Sequence, residues 1–456
     1  LSPNPVWKDE AKTIMRHPGL DNHGMGTIFE ELIRRFNEEN NEEAGEHWTP
    51  RDVVELMADL VFIPIADQIQ DATYSCYDGA CGTGGMLTVA QDRLLTLAHR
   101  RGKDVSIHLF GQEINPETYA ICTADMLLKG DGEQAEHIGF GSTLSLDQHP
   151  SRQFDFMLSN PPYGKSWKTD AEKMGGKKDI LDTRFNTYLE GGEEMAMIPR
   201  TSDGQLLFLL NNISKMKKDS PLGSRIAEVH NGSSLFTGDA GSGESNARRY
   251  LIENDYVEAI IALPLKMFYN TGLGTFIWVL SNKKAEKRKG KIQLIDATEI
   301  KSALDKNMGQ KNCELTPELR KEIVRIFMEM EESEISKVFN NSDFGYWKVW
   351  ILQPLLDEEG MPQKDKKGRI IPDKAKTETE LIPFTYEGGI EGYMEKEVRP
   401  YTPYAWIDDK KTTIGYELGF TKYFFHPREM RDRESIASEI RDVEAQLSGM
   451  LEAVLL

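Results

Sequence analysis

One local unit, met twice, constrains this chain most. YSCYDGACGTGGMLTVAQDRLL (74–95) passes from a strand pattern through a glycine-rich turn into a helix, and SIHLFGQEINPETYAICTADMLLKG (106–130) repeats the theme. A helix-length connection returns the chain to the starting end of a sheet, so successive strands of such units lie parallel with helices covering them. FDFML (154–158), YVEAIIALP (256–264), TFIWVLSN (275–282) and KIQLIDA (291–297) read as further strands, with a helix around Gln205–Met216 among them. The expected fold is α/β, a Rossmann-like, doubly wound and mostly parallel sheet.

Flanking this core, MGTIFEELIRRFNEE (25–39) sets Ile28, Phe29, Leu32, Ile33 and Phe36 on one helical face, and a second helix is expected to start at Thr49-Pro50. The expected organisation is a helical lead-in over 1–44, a central domain over 45–300 and a mixed, helical extension over 301–456. The extension ends in RESIASEIRDVEAQLSGMLEAVLL (433–456), where Ile436, Ile440, Val443, Leu447, Met450 and Val454 define an amphipathic helix suited to subunit contact. Segments 164–182 and 231–249, rich in Gly, Ser and charge, read as mobile surface loops, and KKAEKRKGK (283–291) as a solvated linker.

Composition narrows the classes. No apolar run approaches the roughly 18 residues of a membrane span. The chain opens LSPNPVWKDEAK without Met, as a fragment or processed product would. Cys76, Cys81, Cys122 and Cys313 show no CxxC pairing and there is no HExxH, so reduced thiols in a cytoplasmic protein and no metal site are expected. With 74 acidic against 55 basic residues the net charge is −19. Such a chain should not coat itself with nucleic acid unaided; if it works on DNA, a local basic stripe or a partner must supply the phosphate contacts.

The glycine-rich turn DGACGTGGML (78–87) lets a ligand approach the backbone where no Cβ intervenes. Leu87 stands where a GxGxxG fingerprint requires its third glycine, and no GK[ST] follows, which excludes the usual dinucleotide and P-loop patterns. An acid followed by Gly-x-Gly suits a nucleoside with an amino-acid tail, because no phosphate needs a cradle. Glu113, at the end of the next strand, is placed to hold ribose hydroxyls.

SNPPYGKSWK (159–168) ends the FDFML strand in a stiff corner. An amino group conjugated to an aromatic ring or carbonyl is a poor nucleophile because its lone pair is delocalised. Two acceptors aimed at its hydrogens, the Asn160 side-chain oxygen and the Pro161 carbonyl, draw the nitrogen toward a tetrahedral shape. Pro162 helps to fix the corner, and Tyr163 can stack on a flat substrate that has left a duplex.

DGACGTGG, GQEINP and SNPPYG, in this order, resemble an S-adenosylmethionine-dependent amino-methyltransferase. GEHWTPRDVVELM, NGSSLFTGDAGSGESNARRYLIE and ALPLKMFYNTGLGTFIWVLSN resemble the modification subunit of type I restriction–modification systems. The likeness spans roughly residues 25–300 and returns loosely at FGYWKVW (344–350). It implies an adenine-N6 DNA methyltransferase that flips its target base and works with a separate DNA-specificity subunit and, for cleavage, a restriction subunit. An N-terminal helical domain usually precedes the catalytic one in that family.

By the same resemblance, Glu46, His47, Trp48, Thr49, Pro50 and Arg51 pack on the methionine end of the cofactor. Asp78, Gly79, Ala80, Cys81, Gly82, Thr83, Gly84 and Gly85 form its loop, Glu113 is the ribose acid, and Asn160, Pro161, Pro162 and Tyr163 are the catalytic corner. Gly79 replaces a more usual Pro, and Ser142 stands where many relatives carry Asp or Asn near the cofactor's adenine. Lys165, Lys168, Lys173, Lys177 and Lys178 are candidates to close the 164–182 loop on phosphates. Because the corner serves any planar amino group, methylation of cytosine N4 or of a protein glutamine remains open. So does a silent scaffold that only binds cofactor and partners.

Overall fold

The computed structural model describes residues 49–129, 133–189, 191–269 and 271–424, with 6–7, 15–17, 437–441 and 443. Nine strands form one sheet: β1 (Ala72–Asp78), β2 (Val105–Glu113), β3 (Ile138–Phe140), β4 (Phe156–Ser159), β5 (Arg225–Asn231), β6 (Val257–Ala262), β7 (Thr275–Ser281), β8 (Lys291–Asp296) and β9 (Ser336–Asn340). Their order is 3-2-1-4-5-7-6-8-9, all parallel except β7 and β9. The order reverses beside β1, where β2 follows on one side and β4 on the other. In an open α/β sheet that reversal opens a crevice at the carboxyl ends of the strands.

Helix α1 (Arg51–Phe62) starts behind Pro50, whose carbonyl accepts the Val53 and Val54 N–H groups. Its Leu56, Met57, Leu60, Val61 and Phe62 are fully buried, and the Phe62 ring meets Phe156 of β4 edge-on at 4.9 Å. Helices α2 (Gly85–Arg100) and α3 (Pro116–Lys129) follow β1 and β2 and complete the two repeated units. The four cysteines are free and buried.

Three stretches differ from their sequence reading. Segment 164–182 carries a short helix, α4 (Lys168–Lys173), anchored by a buried Trp167. Segment 231–249 holds Ser233–Phe236 and most of α6 (Gly243–Glu253), whose Arg248 is wholly buried and donates to the Tyr416 and Thr237 carbonyls at 2.6 and 2.8 Å; α5 is Gln205–Ser214. In 283–291, Lys284 is buried against Asp255 at 2.6 Å, and Arg288 is buried over the Phe327 ring. Charge had made these stretches look solvated; each buried cation instead has a partner.

The core continues past residue 300. Strand β9 pairs with β8, and helix α7 (Pro317–Glu329) adds Ile323, Val324 and Phe327 to the same apolar cluster as α1 and α2. Asp52 of α1 accepts the Leu315 N–H at 2.8 Å and pairs with Lys311 at 3.1 Å. A smaller antiparallel sheet follows, with β10 (Gly345–Leu352) central to β11 (Glu378–Pro383), β12 (Trp406–Ile407) and β13 (Thr413–Tyr416). Val349, Ile351, Ile382 and Met394 form its own core.

The described residues from Phe420 onward belong to a second unit. In it Phe420–Phe424 is helical, as are 437–441 and 443, with Ile440 and Val443 exposed. The rest of the expected 433–456 helix, the 25–39 helix, and Glu46, His47 and Trp48 lie outside the described residues. Within the expected 1–44 lead-in, Val6–Trp7 pairs antiparallel with Met15–His17. Among the described residues, no helix is long and apolar enough to cross a membrane.

Candidate active site

A cavity of about 290 Å³ opens at the carboxyl ends of β1, β2 and β4. Asp78 closes β1, and its Oδ1 accepts the Ala80 N–H at 3.0 Å and the Ser159 hydroxyl at 2.7 Å. Ser159 immediately precedes Asn160, so one buried carboxyl ties the glycine loop to the proline corner. Burial pushes Asp78 up to about 7, against the pull of those two hydrogen bonds.

The loop itself is set by its glycines. Gly82 and Gly84 adopt φ of +54° and +82°, a region that side chains rarely enter. A Cβ on Gly84 would stand 2.7 Å from Met126 Cε and 2.9 Å from Cys122 Sγ. Gly79 is hemmed in by Tyr77 and Thr143, at 3.1 and 3.2 Å from where its Cβ would be. Glu113 reaches across from β2: its two oxygens accept the Gly82 and Asn115 N–H groups at 2.9 and 2.7 Å. Each oxygen keeps a lone pair for a ligand.

The structure brings most of the expected residues together. Asp78, Gly79, Ala80, Cys81, Gly82, Thr83 and Gly85 line the cavity, as do Thr49, Arg51, Glu113, Ser142, Asn160 and Pro162. Pro50 is buried as the residue that begins α1, Gly84 shapes the loop from behind, and Pro161 is buried beneath the corner. Tyr163 is half-buried against the main apolar core and is not among the lining residues; burial pushes its phenol up to about 12. The aromatic rings on the lining are those of Trp167 and Phe208, which sequence reasoning did not single out. For Trp167 the available signal was a lone aromatic in an otherwise polar stretch.

Two polar groups on this lining are buried without a hydrogen bond. Asn160 donates through Nδ2 to Thr49 Oγ1 at 2.9 Å, while its Oδ1 has no partner. Arg51 Nε makes no hydrogen bond and lies 3.5 Å from Glu55 Oε1. Unpaired buried acceptors and donors are costly, and one of each facing the same cavity points to a polar ligand. Among the described residues no group of three or more His, Cys, Asp or Glu could hold a metal.

The methylase subunit of the MjaIX type I restriction enzyme from Methanocaldococcus jannaschii is 28% identical over 327 residues, 71% of this chain and 52% of that protein. The HindI methylase subunit from Haemophilus influenzae is 26% identical over 283 residues, 60% of this chain and 54% of that one. The chain thus spans about half the length of these relatives. The crystal structure of a type I restriction–modification methyltransferase subunit from Streptococcus thermophilus superposes with a TM-score of 0.55 at 25% identity, covering 71% of this chain and 61% of the other. The two share an α/β fold built on a mostly parallel sheet. Residues 20–344 match the family described as N-6 DNA Methylase, which takes in the glycine loop, Glu113 and the proline corner. The chain therefore belongs to the N-6 DNA methylase family.

Proposed function

We propose that this chain transfers a methyl group from S-adenosylmethionine to the N6 amino group of a flipped adenine in DNA, as the modification subunit of a type I restriction–modification complex. The observation that carries the reading is the buried, unpartnered Asn160 Oδ1, on a cavity wall shared with the glycine loop. Bound S-adenosylmethionine supplies a methyl carbon made electrophilic by its sulfonium. Its fit rests on the Gly82–Gly84 turn, the remaining lone pairs of Glu113 for ribose hydroxyls, and the Arg51 guanidinium for a carboxylate tail.

The chain's own residues prepare the nucleophile. Thr49 holds the Asn160 amide so that Oδ1 is turned to accept from an amino group, and the Pro161 carbonyl is the second acceptor. Together they localise the nitrogen lone pair without a strong base. The amine becomes acidic as it takes the carbon, so its proton leaves to solvent. Neither ring on the cavity lining belongs to the corner, so Trp167 and Phe208 are the flat surfaces available to an aromatic ligand.

A net charge of −19 makes unaided DNA binding weak, which favours a separate specificity subunit that locates the site and a restriction subunit for cleavage. The exposed Lys168, Lys173, Lys177 and Lys178 can then meet phosphates near the cavity. A cytoplasmic location goes with this role.

The test is nucleoside mass spectrometry of unmethylated DNA after incubation with labelled cofactor, with and without the specificity subunit. N6-methyladenine is expected, and Asn160→Ala should lose about 100-fold or more of it while still binding cofactor. Label in N4-methylcytosine or in protein would overturn the substrate. Cofactor bound with no transfer by the wild-type complex would make the chain a silent scaffold.

A further inference from the structure

One wall of the cavity comes from outside the glycine loop and the proline corner. Trp167 and Asp170, from the start of α4, line it together with Ser142 and Leu144. This wall is anchored. The Trp167 indole N–H donates to the Arg200 carbonyl at 2.9 Å and its backbone N–H to the Thr201 carbonyl at 3.0 Å. Gly204 packs on the indole, where a Cβ would lie 3.1 Å from Cδ1. Asp170 is held from the other side, because Oδ1 accepts the Ser145 hydroxyl at 2.6 Å.

Ser142 lies three residues before Ser145 and lines the same cavity. Its hydroxyl oxygen is buried and already accepts the Leu144 and Ser145 N–H groups at 3.2 and 3.5 Å. It therefore has little acceptor capacity left. An exocyclic purine amino group offers two donors and needs acceptors. An ionised carboxylate is acceptor-only, with about four lone-pair sites, of which Ser145 takes one.

We infer that Asp170, not Ser142, selects the adenine ring of the cofactor by accepting its 6-amino group. The inference rests on the S-adenosylmethionine reading above and adds a specificity residue to it. The acid is supplied from a different segment of the chain, through the Ser145 hydroxyl that fixes its direction. Removal of the amino group from the ligand leaves the carboxylate facing a C–H. A charge-assisted hydrogen bond of this kind corresponds to about 10- to 100-fold in affinity.

The experiment is calorimetric titration without DNA, which reads binding and not turnover. The probes are S-adenosylhomocysteine and its analogue lacking the purine 6-amino group. The wild-type chain should prefer the amino form by about tenfold or more. Asp170→Ala should bring that ratio near one, and Asp170→Asn, which keeps the shape, should reduce it at least about threefold. Ser145→Ala should reduce it less, by freeing the carboxylate to turn. A ratio unchanged in Asp170→Asn and Asp170→Ala overturns the inference and leaves the cofactor reading standing. A wild-type chain that binds neither probe overturns the cofactor reading itself.

Discussion

Asp78 joins the two halves of the site, and its replacement by Asn gives a test whose size follows from the structure. The side chain is 2% exposed and accepts from Ser159 Oγ and the Ala80 N–H. An Asn can accept both through Oδ1, so the geometry survives while the ionisable group disappears. Burial raises the carboxyl from 3.8 to about 7, so between those values the folded chain holds a proton that the unfolded chain has released. The stability this group contributes is complete below about pH 4 and is lost as pH rises through 7. Roughly three pKa units correspond to at most about 4 kcal/mol. Relative to wild type, Asp78→Asn should therefore gain about 2–4 kcal/mol between pH 4 and pH 8. Urea unfolding of both chains at four or five pH values reads this difference directly. Two stability curves that stay parallel across that range would refute the claim that Asp78 is buried against its charge.

Two further substitutions probe the loop and the corner. Gly84→Ala should cost about 2–4 kcal/mol in urea unfolding, from the +82° φ and the collision of its Cβ with Met126 and Cys122; an unchanged midpoint would sink that account. Thr49→Val removes the oxygen that holds the Asn160 amide, so kcat for methyl transfer should fall by about 10- to 100-fold. Cofactor affinity should stay within about threefold, as measured by titration, and a loss confined to affinity would contradict the orienting role.

Much of the core was legible because it depends on local pattern. The strands at β1, β2, β4, β6, β7 and β8 carry apolar runs bounded by turn residues, and their helices follow at short distance. β5 was missed although it lies at the centre of the sheet. Its sequence RIAEVHN contains Arg225, Glu228 and His230, which suggest a surface. In the fold all three are buried, Arg225 against Glu258 at 2.6 Å and Glu228 between His230 and Asn212 at 2.8 and 2.6 Å. Glu258 and Asn212 come from other elements, and no local pattern announces such pairing.

The order of short motifs was enough to point to the N-6 DNA methylase family. Glycines that tolerate left-handed backbone, an acid at the next strand end and two prolines after an Asn act through covalent geometry that any reader of the residues can reconstruct. Tertiary structure decided which groups share the cavity. It turned Tyr163 onto the core, brought Trp167, Asp170 and Phe208 to the lining, and set Thr49 beside Asn160 across 111 residues of chain. Packing is a competition among all elements for the same buried volume, so the place of a side chain outside the motifs is settled only when every neighbour is present.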